Sequence, residues 1–199
     1  MKISEAKKIT GGLSKPSKMP GPAYNLPAYK CITGAKLAKV PGSVCAGCYA
    51  LKGRYRFSNV RDALDRRLAS LSHPEWVDAM VTLIGKQPYF RWHDSGDLQS
   101  AWHLKQIFEV CVRTPGTRHW LPTREVKFLK LLDPEAVPGN LTIRISSHMI
   151  DQPPVKFWPW TSTVGSSGGT CPAPQNGNKC GPCRACWDRK VQNIQYHEH

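Results

Sequence analysis

Seven of the eight cysteines in this chain fall into two groups whose spacing suits metal chemistry. Cys31, Cys45 and Cys48 come first, the last two as C-x2-C, and Cys171, Cys180, Cys183 and Cys186 follow near the end as C-x8-C-x2-C-x2-C. Cys111 stands alone at an apolar position of a helical pattern and reads as core. The N-terminus, MKISEAKKITGG, carries cations without an apolar segment, and no run of about 18 apolar residues occurs, so neither a signal peptide nor a membrane span is expected. The expected compartment is a reducing cytoplasm, where thiols serve metals or catalysis more often than disulfides.

Four thiolates at the tail spacing can enclose tetrahedral zinc or a [4Fe-4S] cluster. The repeated C-x2 steps resemble cluster-binding runs more than the paired knuckles of zinc sites, and Pro172, Pro174 and Pro182 keep the loop irregular; zinc remains the alternative. The first group supplies three ligands. Either a fourth comes from His93, His148 or a tail cysteine, or one metal position stays open for a small molecule, as in catalytic metal sites. A cluster with one open iron could chelate S-adenosylmethionine.

His93, Asp94 and Asp97 offer a second chemistry, a divalent metal for phosphodiester cleavage. Against it stands the plainer reading of a polar turn whose carboxylates cap a helix. His103 reads as part of the polar face of its helix. His197 and His199 lie in a terminal stretch with no pattern that would order it.

The net charge is +14, and residues 1 to 56 hold eleven cations against the single acid Glu5. Such a field attracts polyanions, nucleic acid above all. Lys15 and Lys18, in a Gly/Pro-rich backbone, and Arg54 and Arg56, just past the cysteine pair, are the candidate phosphate contacts. Lys179, Arg184, Arg189 and Lys190 surround the tail sulfurs, where they would offset a cluster's charge or meet a backbone phosphate. Among the tryptophans, Trp158 and Trp160 in KFWPW are the candidates for exposed stacking platforms.

The elements that would position these groups alternate. Residues 1–30 are broken by Gly and Pro and read as a basic irregular segment without a helix. Val60, Ala63, Leu64, Leu68 and Leu71 predict a helix from Ser58, and Trp76, Val77, Met80, Val81 and Ile84 predict another after Pro74. PYFRW reads as a strand with Phe90 and Trp92 on one face. A helix follows from Ser100 to Pro115, then a strand over 117–123, a helical stretch REVKFLKLLDPEA, a strand over 140–147 and a further strand around 161–164. This order predicts an α/β fold, a partial β/α barrel or open, mostly parallel sheet. The expected organisation is a basic segment over 1–30, an α/β metal-binding domain over 31–165 and a Cys-rich metal-binding tail over 166–199. Ligands gather at the C-terminal ends of such strands, which singles out HDSGD, LPTRE and SSHM.

A three-cysteine group ahead of the first helix of an alternating chain, with SGD after the next strand, resembles the radical S-adenosylmethionine superfamily over residues 28–150. That resemblance implies a [4Fe-4S] cluster on Cys31, Cys45 and Cys48, with Tyr49, Ser95, Gly96, Asp97, Arg144 and Ser146 around bound S-adenosylmethionine. In wording, the motifs CAGCYALKGRY, RWHDSGD and KCGPCRACW, with LPA ahead of Cys31, are similar to the phage-encoded gene product 88 family. This second likeness implies a viral origin, hence the host cytoplasm, and a cysteine-rich metalloprotein. Two functions follow: an iron-sulfur protein of phage type with a radical S-adenosylmethionine-like fold and one or two clusters that acts on or binds nucleic acid, as a radical-type enzyme in its catalytic form, or a non-catalytic DNA- or RNA-binding protein with structural iron-sulfur or zinc sites.

Overall fold

The computed structural model describes residues 1–198. Six strands, Ala23–Tyr24 (β1), Tyr89–Trp92 (β2), Arg118–Thr123 (β3), Leu141–Ser146 (β4), Thr161–Gly165 (β5) and Asn193–His197 (β6), form an open α/β sheet. The strands lie in sequence order and every neighbouring pair is parallel. The helices are Ile3–Thr10 (α1), Ile32–Leu37 (α2), Ser58–Ser70 (α3), Trp76–Ile84 (α4) and Ala101–Arg113 (α5). Among the described residues no helix is long and apolar enough to cross a membrane.

Side-chain alternation gives the sheet two chemically distinct faces. Tyr24, Phe90, Trp92, Leu121, Ile143 and Ile145 point to one side and pack with Trp76, Met80 and Ile84 of α4 and Leu104, Ile107 and Cys111 of α5. The expected core residue Cys111 is therefore in place. Tyr24 ties this layer together: its hydroxyl donates to the Thr10 carbonyl at 2.7 Å, lies 2.9 Å from Ser70 Oγ and accepts from Trp76 Nε1 at 3.2 Å. At the start of α5, Ser100 Oγ accepts the His103 amide at 3.0 Å, the cap that the sequence places there.

The other face holds Tyr89, Arg91, Trp120, Thr142 and Arg144, and the Cys-rich segment lies on it rather than extending from the fold. Trp187 packs edge-on against Trp120 and Tyr89, with ring centroids 5.2 and 5.5 Å apart, and its Nε1 donates to the Phe90 carbonyl at 2.9 Å. Arg144 is fully buried there and donates to five carbonyls: Ala185 at 2.8 Å, Asp188 at 2.9 Å, Cys186 at 3.1 Å, Thr161 at 3.2 Å and Gln192 at 3.4 Å. The chain then enters the sheet as β6.

Several expectations need correction. α1 stands inside the segment read as irregular; the Lys2 amide donates to Glu5 and Gly11 ends the helix at φ 75°, so its eight residues close before the breakers begin. β1 has only two residues, too few to show a period, and exists through its pairing with β2. REVKFLKLLDPEA forms 3-10 turns at Val126–Phe128 and Pro134–Ala136 instead of a helix: Glu125 is drawn inward, and Leu131 is left fully exposed with no apolar partner. His197 lies in β6 instead of a disordered end, and His199 lies outside the described residues. Trp158 and Trp160 are buried because their indoles donate to the Ile143 and Arg189 carbonyls at 2.8 and 2.9 Å.

Candidate metal centre

Residues 25–57 form a long excursion after β1 that lies over the C-terminal ends of the first four strands. Each attachment is a named hydrogen bond. Asp94 N donates to Asn25 Oδ1 at 2.9 Å, and Leu26 N to the Ser95 carbonyl at 3.0 Å, joining the ends of β1 and β2. Thr33 donates through its amide (2.7 Å) and hydroxyl (2.9 Å) to Glu125 past β3, and Val44 N donates to the His148 carbonyl at 2.9 Å past β4. The Tyr49 hydroxyl donates to the Asp94 carbonyl. The three cysteines are thus carried to the end of the sheet where parallel α/β folds bind ligands.

Gly34 packs closely against two of these cysteines, and a Cβ there would meet Cys31 Cβ at 3.0 Å. A Cβ there would stand 3.6 Å from Cys45 Sγ and 3.7 Å from Cys31 Sγ. Burial, reinforced by Asp97, Cys48, Cys45 and Glu125, pushes the Cys31 thiol well above its usual range. Burial also raises Cys45, with Arg124 acting in the opposite sense. A bound metal's charge would reverse that balance and release their protons, leaving thiolates.

The SGD turn is built into the same end. Ser95 Oγ donates to the Leu26 carbonyl at 2.9 Å. Gly96 has φ 79° and passes so close to Leu26 that a Cβ would stand 2.6 Å from the Leu26 carbonyl oxygen. Asp97 accepts from Leu98 N (2.7 Å), Thr123 Oγ1 (2.6 Å) and Arg124 N (2.8 Å), and burial raises its carboxyl to about 6. Ser146 lies 3.0 Å from Ser162 Oγ, on the face that carries the tail. Of the residues expected around a small-molecule cofactor, Tyr49, Ser95, Gly96 and Asp97 gather beside the cysteine loop. Arg144 does not: its guanidinium is committed to the tail carbonyls. Glu125, Thr33 and Arg124 belong to the site and were not singled out as ligands or supports, although the strand-end rule does point to the LPTRE segment.

The His93, Asp94 and Asp97 set does not converge. Ring His93 is buried on the helix side, its centroid 5.4 Å from that of His103; Asp94 pairs with Arg91 at 2.9 Å, and Asp97 holds the β3 end. His103 is itself buried against Trp76 instead of lining a polar helix face. His148 borders the first cysteine group, with its Nε2 3.3 Å from the Arg124 carbonyl.

At the tail, all four cysteines are free, and only Cys186 is buried. Burial raises Cys180, reinforced by Cys171 and Cys183; burial also raises Cys186 to about 11, with Tyr196, Arg144 and Arg91 acting in the opposite sense. Arg184 stacks 5.0 Å from the Tyr89 ring centroid, and Arg189 bonds the Leu141, Val137 and Pro138 carbonyls, so Arg189 is a structural anchor rather than a cluster counter-charge. Lys15 and Lys18 are exposed, and the Lys18 carbonyl accepts the Cys180 amide at 2.9 Å. Arg54 and Arg56 are exposed in the 3-10 turn Gly53–Arg56, at the other cysteine group. Lys18 thus lies beside the tail group, and Arg54 and Arg56 lie beside the first.

Among the described residues, no set of three or more His, Cys, Asp or Glu side chains is arranged around a single metal ion. Mononuclear zinc, with Zn–S of about 2.3 Å, needs its sulfurs drawn that closely together. A cluster binds each thiolate through a different iron and so spreads its ligands further than a single ion does.

No curated protein and no solved structure matches the chain at significance. A family model described as Gene product 88 matches residues 1–163, which takes in the first cysteine group, the SGD turn and four of the six strands. The chain belongs to the gene product 88 family.

Proposed function

We propose that this is a bacteriophage iron-sulfur protein of radical S-adenosylmethionine type that acts on nucleic acid. One observation carries the reading: Cys31, Cys45 and Cys48 lie on the excursion after β1, over the C-terminal ends of parallel strands in sequence order, with SGD at the end of β2. A [4Fe-4S] cluster with an open iron supplies, once bound, the electron for reductive cleavage of S-adenosylmethionine. Cys31, Cys45 and Cys48 would hold it. Glu125 fixes the first turn of α2 directly after Cys31, Tyr49 fixes the loop after Cys48, and Gly96 and Asp97 fix the turn that faces them.

The nucleic-acid part rests on the same loop. Lys30, Lys36, Lys39, Lys52, Arg54 and Arg56 are all exposed on residues 25–57, a stretch without an acid, and Phe57 is 60% exposed beside them. Cations interleaved with an exposed ring suit a phosphate backbone and its bases. A second reading, a non-catalytic DNA- or RNA-binding protein with structural iron-sulfur or zinc sites, is favoured by the filling of the inner sheet face by Trp187 and its neighbours.

The deciding experiment measures iron, zinc and acid-labile sulfide per chain after anaerobic purification, for the parent and C48A. About eight irons falling to about four in C48A, with methionine and 5'-deoxyadenosine formed under dithionite, is the expected result. Loaded iron without either product leaves the binding reading; zinc without sulfide ends the radical reading. Affinity for an oligonucleotide should fall steeply with salt, and indifference to nucleic acid at low salt refutes that part.

A further inference from the structure

We infer that Tyr196 donates a hydrogen bond to the Cys186 sulfur and that this makes Cys186 the fixed, tuned ligand of a cluster at the tail. The inference rests on the proposed iron-sulfur reading of that segment. Tyr196 Oη lies 3.2 Å from Cys186 Sγ, within reach of a hydroxyl-to-sulfur bond. Either atom could donate while the sulfur carries a proton. A metal-bound thiolate has none, so the phenol must then be the donor.

Both partners are held by the fold. Tyr196 sits on β6, in register with Val164 of β5. On the Cys186 side, Arg144 Nε bonds the residue's own carbonyl at 3.1 Å and Nη2 bonds those of Ala185 and Asp188 at 2.8 and 2.9 Å, while the next side chain, Trp187, is bonded to Phe90 at 2.9 Å. The other three tail cysteines are part-exposed on an irregular stretch. A cluster built there has one ligand set in advance and three that complete it. Hydrogen bonds to cluster sulfurs are among the features that set reduction potential, because they stabilise the more negative, reduced state.

The test uses the full chain in a Cys45→Ala/Cys48→Ala background, so that iron reports on the tail. Tyr196→Phe should leave the iron and sulfide content unchanged, move the reduction potential to more negative values and reduce the deuterium sensitivity of the Fe–S stretching bands. Equal iron with unchanged potential and bands overturns this inference alone. A tail holding zinc or no metal overturns the tail reading and this inference with it. Should the variant fail to fold, by circular dichroism, the background protein itself decides: Fe–S bands that do not move in deuterium oxide overturn the donor role.

Discussion

Arg144 supports the sharpest prediction about the fold. Among the described residues it has no carboxylate within ion-pair distance; five backbone carbonyls accept its hydrogen bonds, and burial lowers its pKa, with Tyr196, Cys186 and Asp188 acting in the opposite sense. Three of its bonds, at 2.8, 2.9 and 3.1 Å, have good lengths, and two, at 3.2 and 3.4 Å, are weaker. Hydrogen bonds to a charged group contribute about 1.5–3 kcal/mol each. Three good ones, less the relief of no longer burying a charge, give Arg144→Met a net loss of about 3–5 kcal/mol. For a chain of this size that is a fall in melting temperature of roughly 6–20 °C. Arg144→Lys should fall between parent and Met, since an ammonium reaches fewer of the five carbonyls. The assays are thermal and urea unfolding, with limited proteolysis reading the tail, which should be cut first in the Met variant. An Arg144→Met protein that melts within about 2 °C of the parent, its tail still protected, would refute the anchoring role and return Arg144 to a ligand-binding one.

Other perturbations test separate parts of the structure. Tyr24→Phe removes the hydroxyl shared by Thr10, Ser70 and Trp76 and should cost about 2 kcal/mol by urea unfolding; a loss below about 0.5 kcal/mol would mean that water replaces those contacts. Gly96→Ala forces a Cβ against Leu26 at a left-handed position and should destabilise the chain by more than about 1 kcal/mol, measured the same way. Glu125→Gln can accept only one of the two Thr33 bonds and should lower the iron content at the first site relative to the tail; unchanged iron would make Glu125 irrelevant to loading. His103 and His119 are buried neutral, both held down from 6.5 to about 3 by burial. The unfolded chain takes up these protons below about pH 6.5 and the folded chain only near 3, so their contribution is full above 6.5 and is lost as pH falls, by about 1.4 kcal/mol per pH unit for each. His103→Gln should flatten the profile of urea midpoint against pH between 6 and 4; Asp97, which acts in the opposite sense over part of that range, is common to both proteins. An unchanged slope would show that His103 is not held neutral.

Legibility followed repetition. α3, α4 and α5 and the strands β2, β3 and β4 carry several apolar residues at helical or alternating spacing, and each appears close to where that spacing puts it. The cysteine groups were legible for the same reason: ligand spacing is a local property of the chain. Elements without repetition were not. β1 is two residues long, β6 reads NIQYH with no apolar alternation, and α1 is eight residues between the start of the chain and a glycine. Apolar residues in REVKFLKLL promise a helix that Glu125, pinned to Thr33 more than ninety residues away in sequence, prevents.

The sequence alone determined the α/β class, the two sets of thiols and the basic character of the N-terminal quarter, because each follows from residue type and local spacing. Tertiary structure decided which polar residues serve the site and which serve the fold. Arg144 and Asp97 look alike in the sequence, a charged residue on or just after a strand. One bonds tail carbonyls at the centre of the sheet, and the other joins two strand ends beside Cys31. The difference lies in partners more than twenty residues away along the chain, which a burial and hydrogen-bond balance selects and local spacing does not encode.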